Sequence, residues 1–229
     1  MTHSSFLFSQ LSTAKLFTLK SSIAACSFLI ALALPGCQSQ MITDKPTAGI
    51  SIDTPRFNTQ ADSKTLTLNY AKDIKTALAQ QDYEALIPYI HPTRGVRFSM
   101  YAYIQPESDK VFSREQYVQY LNESDIRFTW GQKDGTGKLY ITPLPDYLKN
   151  WIQADYFDTQ TATINHTLAS GNSINNIDKI YQNSDYVEFY NPGVDPQFGG
   201  LDWRALRLVF DDYQGKRYLV AIISDQWTI

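Results

Sequence analysis

The chain has 229 residues, of which 20 are basic and 23 acidic, so that its formal net charge at pH 7 is −3. The lysines and arginines are scattered with no run of three, which argues against a nucleic-acid partner and against a basic membrane-surface patch. The two cysteines, Cys26 and Cys37, exclude a framework of several disulfides.

The first 36 residues have the layout of a secretory signal. Lys15 and Lys20 precede an apolar run over residues 23–34, and no acidic residue interrupts the segment. As a helix this run would be about 18 Å long, which is too short for the roughly 30 Å hydrocarbon core of a bilayer. The pattern therefore favours a cleaved signal over a permanent membrane span.

The run ends in Leu34-Pro35-Gly36-Cys37, which resembles the lipobox of bacterial lipoproteins. The resemblance implies a mature protein that starts at Cys37 with a diacylglyceryl thioether and an acylated amine such as a palmitoyl amide. It also implies a cell-envelope location facing the periplasm, and Gln38 at the next position goes with sorting to the outer membrane. The alternative is an ordinary signal cleaved nearby, which would leave Cys37 as a free thiol.

Removal of residues 1–36 leaves 193 residues. Two of the 20 basic residues and none of the 23 acidic ones lie in the removed segment, which leaves 18 and 23 and a net charge of −5. Residues 37–62 are polar, contain proline and glycine and lack an apolar period, so we expect a lipidated cysteine followed by a flexible tether. Residues 63–229 are the length of one globular domain, without an internal disulfide.

The domain begins with two predicted helices and a strand. Apolar residues spaced by three or four indicate a helix over residues 63–80, on a stripe formed by Leu66, Tyr70, Ile74, Ala77 and Leu78. Asp82 is placed to cap a second, short helix that ends near residues 89–91. Alternation of apolar and polar residues then predicts a strand over residues 96–104.

The middle of the domain is predicted to combine helices with a hairpin. Ser113 and Gln116 have the spacing of a capping box, which indicates a helix over residues 114–121. Strands at residues 126–130 and 139–141 flank the turn residues Asp134 and Gly135. Thr142 and Pro143 are typical of a helix start and predict a helix through Ile152.

The last third is predicted to be mostly strands. We expect strands over residues 161–168 and 186–190, a short helix over residues 177–181, and a terminal hairpin of residues 203–210 and 217–224. Within the hairpin Leu206, Leu208 and Phe210 share one face, and Arg207 lies on the other. Together these elements predict an α+β domain with helices packed on a curved antiparallel sheet.

This element order resembles the nuclear-transport-factor-two-like superfamily, the conical fold of ketosteroid isomerase and scytalone dehydratase. Several short blocks also resemble an uncharacterised bacterial family of exported lipoproteins. The blocks are residues 95–99, Trp130-Gly131 with Asp134-Gly135, Asp202-Trp203 with residues 206–210, and Trp227-Thr228-Ile229. The resemblance to the nuclear-transport-factor-two-like superfamily implies a cavity between sheet and helices that binds a small apolar ligand or catalyses proton transfer, whereas the lipoprotein family implies no activity.

The candidate ligand-binding residues lie in or near the first strand and the central hairpin: Arg97, Tyr101, Tyr103 and Trp130. Tyrosine and tryptophan combine apolar area with a polar group, which suits a half-wet pocket. Arg97 and its neighbour Arg94 could clamp an anionic group, or Arg97 could pair with Asp202 or Asp134 as a structural ion pair.

Evidence for catalysis in the sequence is slight. Asp155, beside a tyrosine, Asp202 and His91 are weak candidates, since no spacing identifies a general base or a nucleophile. His91 and His166, 75 positions apart, make a poor zinc set, and no motif indicates a cofactor.

The sequence therefore favours a lipid-anchored, non-catalytic envelope module that binds a small apolar ligand or an envelope protein. An isomerase- or dehydratase-type enzyme with a pocket aspartate and a tyrosine is the alternative, and a purely structural partner in an envelope complex is a third.

Overall fold

Helices and strands alternate along the computed structural model, which describes residues 59–169 and 171–229. The helices are α1 (Thr59–Ala79), α2 (Arg114–Asn122), α3 (Leu144–Tyr147) and α4 (Ile177–Ile180), with a π-helical turn (Leu148–Ile152) after α3 and 3-10 turns at Tyr83–Tyr89, Ala154–Phe157 and Pro196–Phe198. The strands are β1 (Val96–Ser99), β2 (Lys110–Phe112), β3 (Phe128–Gln132), β4 (Leu139–Thr142), β5 (Ala162–Ile164), β6 (Asp185–Asn191), β7 (Arg204–Tyr213) and β8 (Lys216–Gln226).

The predicted signal peptide, Cys37 and most of the tether lie outside the described residues. Helix α1 begins four residues before its predicted start, with Asp62 in its first turn, where a carboxylate interacts favourably with the helix dipole. The buried stripe of α1 consists of Thr67, Ala71, Ile74 and Leu78, whereas Leu66 is exposed. The capping box of α2 is confirmed, because the side chains of Ser113 and Gln116 each accept a hydrogen bond from the other residue's backbone N–H.

Six strands form one sheet in the order β2-β1-β8-β7-β6-β5, and β3 pairs only with β4 in a separate hairpin. Four of the five pairs in the large sheet are antiparallel, as predicted, but β1 and β8 are parallel. The parallel pair arises because the chain enters β1 beside β8, where the His91 N–H donates to the Leu219 carbonyl at 2.9 Å. The result is an α+β domain with α1, α2 and α3 on one face of a curved sheet and the short α4 on the other, which fits the predicted conical class.

The face of the sheet that carries α1, α2 and α3 is filled by side chains. Leu206, Leu208 and Phe210 of β7 point into this core, as their spacing predicted. An aromatic group occupies its centre and consists of Phe98, Tyr117, Trp130 and Tyr147. The apolar interior of the cone is therefore packed with the chain's own rings.

A second, smaller core lies on the opposite face of the sheet. Strand β1 ends at Ser99, five residues before its predicted end, and the chain then crosses the sheet edge so that Ile104 is buried against Val209 and Ile223. The alternation of apolar and polar residues continues in the sequence beyond Ser99 because Met100 is buried in the first core and Ile104 in the second. The predicted strand over residues 96–104 is therefore confirmed for residues 96–99 and wrong for residues 100–104.

Beside this second core, Arg207 is buried between two carboxylates. Its Nε donates to Glu188 Oε2 at 2.7 Å and its Nη2 to Asp225 Oδ2 at 3.0 Å, and none of the three side chains is more than 3% exposed. The second oxygen of Glu188 accepts two backbone N–H groups that follow β5, and Asp225 accepts the Ser173 hydroxyl. The ionic group thereby fastens the chain after β5 onto the sheet.

Gly95 is required by its surroundings as well as by its backbone. It has φ +68°, and a Cβ there would overlap the Phe112 carbonyl, whereas Gly137 has φ +63° with open space around it. We expect Gly95→Ala to lower the free energy of unfolding by about 2 kcal/mol or more, since it adds a backbone overlap to the left-handed strain. Gly137→Ala, the matched control, should cost about 1 kcal/mol. Urea unfolding measures both, and equal losses would contradict the overlap.

Candidate functional site

A lateral cleft of about 800 Å³ separates the chain after β1 from the β3–β4 hairpin. Met100 and Trp130 lie at its base, and Tyr101 and Tyr103 belong to one wall. Thr228 closes one end, where the Asp134 carboxylate accepts the backbone N–H of Ile229. The cleft is half-open to solvent and lies outside the packed cone.

Trp130 reaches the base of the cleft because β3 contains a bulge. The register steps from Thr129 to Gly131 against consecutive residues of β4, which leaves Trp130 as the extra residue. Its ring stacks on Tyr147 with centroids 3.8 Å apart, and its Nε1 donates to the Thr142 carbonyl at 2.9 Å. The base of the cleft is therefore held from behind by the core.

Tyr101 ties the two walls together. Its hydroxyl accepts the backbone N–H of Asp134 at 2.9 Å, and its ring meets Trp151 edge-on at 5.5 Å. Burial raises the pKa of this hydroxyl above its usual value, so that it is neutral at physiological pH. The cleft is thus preformed, which favours binding because little ordering is left for the ligand to impose.

Asp109 is the carboxyl with the most perturbed ionisation in the cleft. Its side chain is only 6% exposed, accepts the Gln105 N–H at 3.0 Å and lies 3.8 Å from Arg97 Nη1. Burial raises its pKa from 3.8 to about 6, against the opposing effects of these partners. Asp109 therefore changes charge near neutral pH.

The ionisation of Asp109 has a stability consequence with a defined sign. Folded Asp109 binds its proton more tightly than the unfolded chain does, so its contribution to stability falls as pH rises from about 4 to about 6. Asp109→Asn has no carboxyl at this position and does not show this pH-dependent loss. The free energy of unfolding of Asp109→Asn minus that of wild type should therefore rise across that window and level off above about pH 7. Urea unfolding between about pH 4 and pH 8 measures the difference. A flat or falling difference would contradict the raised pKa.

Three of the four predicted ligand-binding residues, Tyr101, Tyr103 and Trp130, meet in the cleft. Arg97 lies behind the cleft wall, where its guanidinium donates to the Pro106 carbonyl at 3.3 Å. Its ion-pair partner is Asp109, not Asp202 or Asp134, because the chain after β1 folds back along the strand. Arg94 pairs with Asp211 instead of forming a clamp with Arg97.

The weak catalytic candidates lie elsewhere, each in a different place. Asp155 lies at a shallow pocket beside Tyr156. Asp202 accepts the backbone N–H groups of Asp195 and Val194 at 3.0 and 2.8 Å, and these hydrogen bonds lower its pKa. The structure does not bring these side chains together with the cleft tyrosines.

His91, the third of these candidates, is buried at the turn before β1. Its Nδ1 accepts the backbone N–H of Arg94 at 3.0 Å and that of Thr93 at 3.2 Å. Burial, followed by the charge of Arg94, lowers the pKa of the ring. His91 is therefore neutral at pH 7 and shapes the turn that leads into β1.

Sequence reasoning missed Asp109 and Lys133 as cleft residues. Asp109 lies between Ser108 and Lys110 in a segment that has no recognisable motif. It becomes buried in the cleft because the chain folds back after β1. Lys133 borders the turn residues Asp134 and Gly135, which the sequence did single out, and it packs over the Tyr140 ring at 4.8 Å.

Within residues 59–169 and 171–229, no group of three or more histidine, cysteine or acidic residues could hold a metal ion. In the same residues, no helix has the length and apolar character needed to cross a bilayer.

An exposed apolar patch lies away from the cleft, on the loop between β6 and β7. Val194, Phe198 and Leu201 are all more than half exposed there, and Trp227 borders the same pocket. This patch is the surface that a purely structural partner would use.

No protein-family model and no curated protein matches the chain. The solved structures that resemble it include a designed protein whose name contains NTF2, with 12% identity and a TM-score of 0.32 over 73% of this chain and 99% of that one. They also include a DUF4783 family protein from Bacteroides ovatus, with 10% identity and a TM-score of 0.25 over 67% of this chain and 92% of that one. Likeness at this level transfers no residue role.

Proposed function

We propose that this protein is a non-catalytic binding module whose ligand occupies the lateral cleft. The observation that carries the proposal is the convergence of Tyr101, Tyr103 and Trp130 on one preformed cavity of about 800 Å³. A cavity of this size with a few fixed polar groups is the usual form of a small-molecule site.

The packed interior of the cone argues against the small apolar ligand that the sequence analysis expected there. Phe98, Tyr117 and Tyr147 occupy the interior where a small apolar ligand would sit. The cleft instead offers aromatic rings together with carboxylates, amides and hydroxyls, among them Glu107, Gln132 and Thr129. Because unpaired polar groups are costly to cover with apolar surface, these linings support a polar or amphipathic ligand.

An experiment on co-purifying compounds tests this function. The full chain is purified from its native host and its retained small molecules are identified by mass spectrometry. Thr129→Arg adds a bulky charge to an exposed strand position that lines the cleft, and Thr161→Arg makes the same change at an exposed position away from it. We expect a compound that the control retains and Thr129→Arg loses. Equal retention by both variants would overturn the proposal.

The same proposal includes the anchor: a lipid on Cys37 holds the module at the cell envelope, facing the periplasm and at the outer membrane. The lipobox-like Leu34-Pro35-Gly36-Cys37 supports this. Two or more acyl chains bind a bilayer far more firmly than one. Globomycin should therefore cause a larger precursor to accumulate, and Cys37→Ser should release the protein from sedimented membranes. An unchanged precursor and undiminished sedimentation of Cys37→Ser would refute the anchor.

An isomerase- or dehydratase-type activity is the second candidate, and Asp109 is the observation that favours it. A carboxyl with a raised pKa in a cleft that also holds the Tyr101 hydroxyl has the residue types of such a site. Both groups already hold partners within the fold, however, which supports binding over catalysis. Recovery of the retained compound together with its isomer or dehydrated product, in ratios that Asp109→Asn changes, would establish the enzyme.

A further inference from the structure

A second groove adjoins the cleft. It has a volume of about 850 Å³ and lies between the chain after β1 and the α4 region, with Ile174 and Ile180 on the far side. Tyr103, Gln105, Glu107 and Ser108 line both cavities. The two cavities therefore flank one short stretch of chain, residues 103–108.

Tyr103 is presented on this stretch by a fixed backbone. The side-chain amide of Asn176 accepts the N–H of Ile104 at 2.8 Å and donates to its carbonyl at 2.9 Å. Ile104 itself is fully buried in the second core. Tyr103 is nevertheless 51% exposed, although a large aromatic ring loses favourable burial in that position. A rigid support under a half-exposed ring is the arrangement of a stacking platform.

The side chains around this platform are mainly planar and polar. Gln105 and Glu107 stand beside Tyr103, Asp178 lines the groove, and Gln132 lines the cleft. Amides and carboxylates offer adjacent donors and acceptors that match the paired hydroxyl groups of a sugar. The apolar C–H face of a sugar ring in turn matches an aromatic face.

The charges around the platform argue against an anionic polymer. Of the lysines that line the two cavities, Lys110 donates to the Ser108 carbonyl at 3.3 Å, Lys133 lies over the Tyr140 ring and Lys179 borders the groove. Glu107, Asp109, Asp134 and Asp178 stand in the same linings. Nucleic acids need clustered cations to replace their counterions. The lysines of this surface do not outnumber its carboxylates.

We propose that the cleft and the groove form one continuous site for a neutral oligosaccharide strand, with a sugar ring stacked on Tyr103 where the strand crosses from one cavity to the other. This rests on the proposed function and names the chemical class of its ligand. The two open cavities on either side of one exposed ring suit an extended chain of sugars better than a single enclosed molecule.

The test is calorimetric titration of the full chain in a detergent without a sugar headgroup. The probes are chitotetraose, cellotetraose and maltotetraose, with glucose and N-acetylglucosamine as single-ring controls. At least one tetrasaccharide should bind with a Kd below about 1 mM, and its single-ring unit at least about tenfold more weakly. Tyr103→Ala should weaken that binding at least about tenfold, whereas Phe198→Ala, which removes a ring that is 56% exposed elsewhere, should leave it unchanged.

Circular dichroism of Tyr103→Ala verifies that the variant is folded. Absence of binding by all three tetrasaccharides at about 10 mM, or equal binding by folded Tyr103→Ala and wild type, would overturn the proposal. The failure of the saccharide proposal is distinguishable from that of the binding function. If no tetrasaccharide binds but a retained compound is still lost in Thr129→Arg, the cleft binds a ligand of another class. If Thr129→Arg retains the compound, the binding function itself fails.

Discussion

Arg207→Met is expected to lower the free energy of unfolding by about 3–5 kcal/mol. The substitution preserves much of the volume of the side chain but leaves Glu188 and Asp225 buried without their shared cation. A loss of this size is a large share of the 5–15 kcal/mol that stabilises an ordinary domain. Urea unfolding at pH 7 measures it.

Arg94→Met is the matched control, because Arg94 also pairs with an aspartate but its side chain is 49% exposed. An exposed pair contributes at most about 1 kcal/mol. The deficit of Arg207→Met should also shrink as pH falls, since burial already raises the pKa of Asp225 and protonation removes the uncompensated charge. Equal losses for the two arginine variants would contradict the buried ionic group.

Phe98→Ala is expected to cost about 3–5 kcal/mol as well, in this case through a cavity. The ring of Phe98 lies within 6.4 Å, between centroids, of four other aromatic rings, and the side chain is almost completely buried. Its removal takes contacts from Trp130 and Tyr147, which support the base of the cleft. We therefore expect weaker ligand retention together with the loss of stability.

Phe198→Ala serves as the control for Phe98, since its ring is mostly in solvent and its loss should change stability by about 0.5 kcal/mol or less. Urea unfolding measures both variants, with the free energy of unfolding extrapolated linearly to zero urea in each case. A loss below about 1 kcal/mol for Phe98→Ala would show that the centre of the cone is not tightly packed.

Local signals predicted the elements whose geometry depends on neighbours in sequence. The Ser113 capping box fixed the start of α2, and the alternation of Leu206, Leu208 and Phe210 around a polar turn predicted the β7–β8 hairpin. In these cases the hydrogen bonds and the buried face are set within a few residues.

Long-range packing decided what the sequence could not. The pattern of residues 96–104 suited one strand, yet the chain leaves the sheet at Ser99 because a second core on the opposite face buries Ile104. Arg207 lies on the face opposite Leu206, as its position predicted. It is buried there because the chain after β5, which is distant from β7 in sequence, folds over it. Neither event has a local signature.

The candidate site was predicted in part for the same reason. Aromatic composition near β1 and β3 pointed to Tyr101, Tyr103 and Trp130, and the structure brings these three together. Arg97 was assigned to the ligand because its position on β1 gave no sign of the fold-back that supplies Asp109. The raised pKa of Asp109 depends on that same fold-back and has no counterpart in the sequence pattern.

Amide hydrogen exchange of the full chain, purified with its retained compounds and again after these are stripped, tests the binding cleft most directly. The account predicts faster exchange after stripping in residues 99–110 and 128–137, which form the two walls, with unchanged exchange in the apolar loop at residues 194–201. Unchanged exchange in both walls, or a change confined to residues 194–201, would contradict a ligand in the cleft.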